Sequence, residues 1–189
     1  MKNEINWIEG DGGPHILIER KFLKIWKGES DRAFQESMRY YEQAGLIDDY
    51  IGELKIGLGK CIIISEDVPA STWITKRDTN GTIVVANYIG EEITYDILSA
   101  EINNIPDCKY KDTGLVYDVL DRELYLFPAC DLCVDWTYKY CKINLLPGRY
   151  RIRLIEEYIF HDSSFRLFDF KADKEDTLNR ERSLEWSQY

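Results

Sequence analysis

His15 and His161 are the only histidines in the chain, and histidine is the side chain best suited to proton transfer near neutral pH. His161 is followed by Asp162, Ser163 and Ser164, so a serine nucleophile with a histidine base is conceivable there. No Gly-x-Ser-x-Gly sequence, which presents the nucleophile of many hydrolases, is found. Because triads are recognised by geometry, which a sequence does not contain, a small hydrolase or ligand-binding enzyme using His161 or His15 is kept as the alternative hypothesis.

A Cys-x-x-Cys sequence, Cys130 to Cys133, could begin a zinc site or a redox site. Zinc needs four ligands, so other cysteines or histidines would have to converge on this pair, and no second Cys-x-x-Cys or His-x3–5-His supplies them. A redox role would require a βαβ context that the sequence lacks. We therefore predict no metal, no cofactor and no catalytic residue, and interpret the cysteines as small buried thiols.

Adjacent carboxylates recur along the chain, as in Asp48-Asp49 and Glu66-Asp67. They carry no specific spacing and are uninformative as glycosidase pairs. A solvated acidic surface explains them, and they could also form an electrostatic docking face. The net charge of −10 disfavours nucleic acid, whose binding depends on lysine and arginine. No apolar run approaches the roughly 20 residues needed to span a membrane, and the N-terminus does not look like a signal peptide. We therefore expect no membrane association and a cytoplasmic location, where the 5 cysteines stay reduced.

The elements that must position these residues are mostly strands, as 13% aromatic residues and many alternating segments indicate. The opening segment, Trp7–Ile18, is predicted to form two strands joined by a tight turn at Gly10, Gly12, Gly13 and Pro14. A phosphate cradle is the weaker interpretation of that turn, because no P-loop pattern follows.

Further along the chain, Tyr50–Ile56 and Cys61–Ile64 are predicted to pair as strands, and Asn80-Gly81 predicts a type I′ hairpin turn. Helices are predicted from Ser30 or Asp31 to Gly45 and over Glu91–Asn104.

The C-terminal half reads as strands Thr113–Leu120 and Glu123–Pro128, followed by a hairpin over Lys139–Tyr158 that turns at Pro147-Gly148. In that hairpin Arg149, Arg151 and Arg153 form a row. The row could bind an acidic or phosphate group. However, the period-2 alternation of an exposed strand face also produces such a row when it has no function. Phe165–Phe170 is predicted as the last strand.

The order of several short motifs resembles the immunity protein 21 family of bacterial polymorphic toxin systems. These motifs are Trp7 with Gly12-Gly13-Pro14, Trp26-x-Gly28, Asp49-Tyr50, Glu66-x-x-Pro69-x-x-Thr72-Trp73, Leu124 to Asp131, and Leu146 to Tyr150. The resemblance covers residues 5–170. It implies a cytosolic protein without catalytic residues, which binds one cognate toxin domain and blocks its active site or substrate path. It also implies that the shared positions determine the fold: Trp7, Gly12, Gly13, Pro14, Trp26, Gly28, Pro69, Thr72, Trp73, Asp131, Gly148 and Tyr150.

We therefore predict an α+β fold, mainly antiparallel sheet, sandwich-like or strongly twisted, with two helices packed against it. A single domain is expected over 1–172, with a charged tail over 173–189. The expected partner is a cognate protein toxin. We expect it to be bound by exposed tyrosine and acidic residues such as Asp48, Asp49, Tyr50, Glu66 and Asp67. An adaptor that binds another protein through its acidic face is a third hypothesis.

Overall fold

The computed structural model describes residues 4–10, 13–28, 37–65, 68–76, 80–90, 93–131 and 139–173. Over these residues the chain forms two antiparallel sheets that pack face to face, with a helix on the outer surface of each. The predicted α+β class with mainly antiparallel sheet is confirmed, and its sandwich-like form is the one observed.

Sheet A contains six strands of the described chain, numbered by their place in the sequence. In spatial order they are β1 (Ile8–Glu9), β5 (Ala70–Thr75), β6 (Gly81–Tyr88), β11 (Ser163–Ala172), β10 (Gly148–Phe160) and β7 (Lys111–Val119). Sheet B contains five described strands, in the order β3 (Ile51–Ile56), β4 (Gly59–Ile64), β2 (His15–Glu19), β8 (Glu123–Pro128) and β9 (Cys141–Asn144).

The sequence pattern of each strand follows from how many of its faces are covered. In β10, Tyr150, Ile152 and Leu154 enter the central core between the sheets, while Arg149 and Arg151 on the opposite face are exposed. By contrast, β2 and β4 are apolar at consecutive positions, because the central core covers one face and α1 (Ser37–Gly45) covers the other.

The two helices lie on opposite sides of the sandwich. In α1, which ends at Gly45 as predicted, Tyr40, Tyr41 and Ala44 pack on the outer face of sheet B. The second helix, α2 (Tyr95–Asn104), packs Leu98 and Ile102 on the outer face of sheet A. It begins later than the predicted Glu91, because Thr94 still has an extended backbone, which places the N-cap there.

Two predicted hairpins are wrong because the chain crosses between sheets where a turn was expected. β1 pairs with β5 in sheet A, whereas β2 pairs with β4 and β8 in sheet B. The segment that contains Gly13 therefore connects the two sheets. Likewise β9 pairs with β8, and β10 pairs with β7 and β11, so Leu145–Pro147 leads from one sheet to the other. A glycine or proline between apolar runs marks a change of direction without specifying the partner strand.

The predicted type I′ turn at Asn80-Gly81 is also wrong. Gly81 already pairs with Thr75, so five residues lie between the paired positions along the chain, where a two-residue turn would leave two, and Gly81 does not have a positive φ. The two-residue turn occurs instead at His161-Asp162, between β10 and β11, where φ is 48° and 52°. Positive φ at both central positions is the geometry of a type I′ turn.

Arg153, the last residue of the predicted arginine row, belongs to a buried ion-pair network. Its Nε lies 3.0 Å from Oδ2 of Asp169, and Nζ of Lys76 lies 2.6 Å from the other carboxylate oxygen. All three side chains are mostly buried, and Tyr110 packs its ring against both cations. The carboxylate is thus held between two cations that have little access to water.

The C-terminal boundary is only partly visible. β11 ends at Ala172, and the amide of Asp173 donates to the carbonyl of Arg149 at 2.8 Å. The charged tail lies outside the described residues from position 174, so the single domain over 1–172 and the tail over 173–189 remain predictions. None of the helices in the described segments has the length and apolarity to cross a membrane.

Candidate functional site

Several motif residues meet where the chain crosses from sheet A to sheet B. The indole Nε1 of Trp26 donates to the carbonyl of Ala129 at 3.0 Å, and the amide of Ala129 donates to the carbonyl of Pro14 at 2.9 Å. Gly28 has φ +54°, and a Cβ there would lie 2.3 Å from the carbonyl oxygens of Cys130 and Asp131. Only glycine fits this position, so the segment after Trp26 is clamped against residues 129–131.

The amide of Val68 donates to the carbonyl of Gly13 at 3.3 Å, which ties the start of β5 to the same crossing. Gly12 lies outside the described residues, and Pro69 is exposed.

The remaining motif positions are internal contacts of sheet A. Trp7 stacks on Phe165 with 6.4 Å between ring centroids, and Trp73 meets Phe170 edge-on at 5.6 Å. The hydroxyl of Tyr150 donates to the carbonyl of Leu146 at 2.8 Å. Two further positions complete the set: Thr72 Oγ1 donates to the carbonyl of Asn6 at 3.0 Å, and Gly148 is buried opposite Val119. Apart from Trp7, which is half-buried on the outer face of sheet A, these positions face inward, so they are poor candidates for contacting a partner.

A separate, exposed surface lies where sheet A extends past sheet B. Strands rise about 3.3 Å per residue, so the 13 residues of β10 reach roughly twice as far as the 6 residues of β3. At the overhanging end, Ser164 is directly opposite both Tyr88 and Ile159, which places the three side chains in one row on the face that elsewhere meets sheet B. Tyr88 is 64% exposed and Ile159 is 70% exposed.

Tyr50 marks the edge of sheet B on this face. The guanidinium of Arg166 lies 3.7 Å from the centroid of the Tyr50 ring, which is a cation–π contact. Arg166 is two residues from Ser164 on the same strand, so its side chain is about 7 Å along the same face. We call Tyr50, Tyr88, Ile159, Ser164 and Arg166 the tip surface.

Carboxylates border the tip surface. Asp48 and Asp49, directly before Tyr50, are exposed, as are Glu157 on β10 and Asp162 in the β10–β11 turn. The amide of Ser65 donates to the carbonyl of Tyr50 at 3.1 Å, so the chain leaves β4 beside these residues. Glu66 and Asp67, the other predicted toxin-binding residues, follow Ser65 in sequence but lie outside the described residues.

Residues 6–158 match the sequence model of the family described as Immunity protein 21. The chain belongs to this family. No curated protein and no solved structure matches it. The family match agrees with the resemblance found in the motifs, and it makes the chain an immunity protein.

In this immunity protein His15 is buried between the sheets. Its Nδ1 lies 2.7 Å from Oγ of Ser71, its Nε2 has no hydrogen-bond partner within the described structure, and burial lowers its pKa to about 4. A Cβ at Gly10 would lie 3.0 Å from Nε2, so the adjoining backbone packs closely against the ring. Because His15 and Ser71 are both buried, the pair joins β2 to β5 and is not accessible to a substrate.

His161 does not form a triad with the serine that follows it. The hydroxyl of Ser163 donates to the backbone carbonyl of His161 at 3.2 Å and accepts from the amide of Gly90 at 3.1 Å. The imidazole packs edge-on against Phe160, with 4.3 Å between ring centroids. These contacts hold the turn in place, so neither histidine favours the hydrolase alternative.

The cysteines give the immunity protein no visible metal site. Within the described ranges no group of three or more histidine, cysteine, aspartate or glutamate residues is placed to hold a metal ion. Cys133 lies outside those ranges. Cys61 is buried in apolar packing, and this burial raises the pKa of its thiol to about 12.

Tyr88, Ile159 and Arg166 are the site residues that the sequence does not indicate. Arg166 lies within the predicted strand Phe165–Phe170, and neither Tyr88 nor Ile159 carries a sequence signal of exposure. Their exposure depends on the unequal lengths of strands in different sheets, which local patterns do not reveal. The one available clue was the pair of apolar residues, Ile159 and Phe160, directly before the polar turn at His161-Asp162.

Proposed function

We propose that this immunity protein is cytoplasmic and neutralises one cognate toxin domain by binding it through the tip surface, which covers the toxin's active site or substrate path. Family membership supports the general role. The observation that carries the specific proposal is the overhang of sheet A, which leaves Tyr88 and Ile159 exposed on a face that is otherwise core. Exposed aromatic and large aliphatic side chains at the centre of a patch are typical of binding hot spots.

The charged residues around the tip surface indicate which charge to expect on the toxin surface that binds there. Asp48, Asp49, Glu157 and Asp162 give the border of the patch negative potential, in a chain whose net charge is −10. Such a border favours a basic partner and accelerates its association at low ionic strength. The toxin face is therefore expected to combine an apolar centre with surrounding lysine or arginine residues.

The test uses the toxin domain encoded beside this gene, with inhibition of its activity and binding measured on purified proteins. Replacing both Tyr88 and Ile159 with alanine is expected to weaken binding at least about 100-fold, since hot-spot residues contribute about 2 kcal/mol each. The matched control is Leu58→Ala. Leu58 is fully exposed in the β3–β4 turn, at the opposite end of sheet B from Tyr50.

The Asp48→Asn, Asp49→Asn double variant is expected to slow association and to reduce its dependence on salt, while leaving dissociation nearly unchanged. Full neutralisation by the Tyr88 and Ile159 double variant, together with loss of neutralisation in Leu58→Ala, would place the interface elsewhere and refute the proposal.

A further inference from the structure

A small cavity opens behind the tip surface, on the outer face of sheet A. Its volume is about 390 Å³. It is lined by Glu4, Ile5, Trp7, Ile89, Ile93, Phe165 and Thr94, the N-cap residue of α2. This volume is at the lower end of the range for small-molecule sites, about 300–1,000 Å³, so the cavity suits a single side chain better than a cofactor.

The cavity is apolar inside and charged at one point. Phe165 is fully buried, Trp7 is half-buried with its ring parallel to that of Phe165, and both line the cavity. Glu4 is exposed and is the one charged residue in the described lining. The site thus offers apolar walls, an indole face and a carboxylate.

We infer that this cavity binds the side chain of a lysine or arginine from the toxin, an inference that rests on the proposed function. The aliphatic stem of such a side chain packs against Ile5 and Ile93, and the cationic head reaches the carboxylate of Glu4 and the face of Trp7. Lysine and arginine combine an apolar stem with a charged end, and tryptophan is the strongest aromatic partner for a cation. The negative charge of the chain disfavours an anionic ligand at the same place.

Ile89 connects the cavity to the tip surface. It lines the cavity and directly follows Tyr88, which lies on the opposite face of sheet A. A toxin that covers Tyr88 and Ile159 can therefore place one basic side chain around the end of β6 and into the cavity. This arrangement would hold the toxin on both faces of the overhang.

The test needs no toxin. N-Butylguanidinium is titrated into the intact protein beside N-butylurea, which is nearly the same shape but neutral, and the indole N–H resonance of Trp7 is followed by NMR. That resonance is assigned by its loss in Trp7→Phe, and the methyl resonances of Ile93 provide a second reporter. We expect the cation to bind at least about five-fold more tightly than the urea, as a single cation–π and carboxylate site implies.

Glu4→Gln is expected to abolish that preference, while Glu9→Gln, which removes an exposed carboxylate outside the lining, is expected to preserve it. Equal binding of the two probes would show a purely apolar site and overturn the inference. A preference for the cation that persists in Glu4→Gln, or no shift at Trp7 and Ile93 in the wild type, would do the same. Failure here leaves the test of Tyr88 and Ile159 against the toxin unaffected, so the two proposals fail separately.

Discussion

His15 makes the stability of this protein depend on pH in a direction and range that the structure specifies. The folded state keeps the imidazole neutral, because burial lowers its pKa to about 4 from the ordinary 6.5. The unfolded chain binds a proton at that ordinary value, so between the two values the unfolded state holds more protons. The contribution of His15 is therefore fully present above pH 6.5 and is lost as the pH falls from 6.5 through 4.

The size of the effect follows from the two pKa values. At pH 5 protonation of the unfolded chain lowers the free energy of unfolding by about 2 kcal/mol, and at pH 4 by about 3 kcal/mol. Because His15 is 1% exposed, solvent screening does not reduce these figures appreciably. Since domains of this kind are stable by about 5–15 kcal/mol, the loss is a substantial fraction of the total.

The assay is urea unfolding of the wild type and two variants at pH 7.5 and pH 5, followed by tryptophan fluorescence. His15→Gln cannot titrate, so its stability is expected to fall by about 2 kcal/mol less than that of the wild type between the two pH values. His161→Asn is the matched control, because that histidine is exposed and asparagine tolerates its positive φ. Carboxylates titrate in all three proteins and therefore cancel in the comparison.

A wild type and a His15→Gln variant with the same pH dependence would refute the assignment of a neutral, buried His15. If His15→Gln does not fold, NMR titration of the imidazole Cε1 protons of the wild type decides the question directly. The His15 resonance should titrate near pH 4, and a midpoint near 6.5 would contradict the buried hydrogen bond to Ser71.

Two further predictions concern positions where the structure allows little change. Asp169→Asn removes the buried carboxylate that Lys76 and Arg153 share, although Arg153 keeps its exposed partner Asp107, and it is expected to cost about 3–5 kcal/mol in urea unfolding. By contrast, Asp112→Asn, in a pair more than half exposed, is expected to cost less than about 1 kcal/mol. Gly28→Ala, which forces a Cβ against two carbonyl oxygens, is expected to lower stability by more than about 2 kcal/mol, and Gly45→Ala, with open space around it, by less than about 0.5 kcal/mol. Equal effects within either pair would contradict the packing described.

Local physics accounts for most of the elements that the sequence predicted correctly. Tyr150, Ile152 and Leu154 alternate with arginines, and this period of two specifies a strand with one buried face. The pair β3–β4 follows from Gly57, which has φ +55° in a two-residue turn. In these cases the information needed lies within about ten residues of the feature.

Apart from the turn at Asn80-Gly81 and the start of α2, the errors concern which strands become partners. A short strand such as β9 can pair with the strand before it or the strand after it, and the choice depends on the packing of two sheets. Pro147-Gly148 looked like a hairpin turn because a sheet crossing needs the same change of direction. His161-Asp162 was considered for catalysis because of its residue types, although its backbone forms the tight turn.

Local sequence patterns predict even less of the candidate site than of the strand pairing. Asp48, Asp49 and Tyr50 could be proposed from composition and motif order, because exposed acids and tyrosines are common at interfaces. The row through Tyr88, Ser164 and Ile159 joins β6 to the β10–β11 hairpin, which lies far along the chain, and it is exposed because sheet B ends at Tyr50. No pattern within one segment contains that information.

The separation of buried motif residues from the tip surface has a consequence for interpreting variants. Trp26 and Gly28 hold the crossing at Ala129, so changes there alter the folded population and affect any function indirectly. Tyr88 and Ile159 are exposed at the end of sheet A, where substitutions usually change stability by less than about 0.5 kcal/mol. Loss of toxin inhibition in the Tyr88 and Ile159 double variant, at unchanged stability, can therefore be attributed to binding.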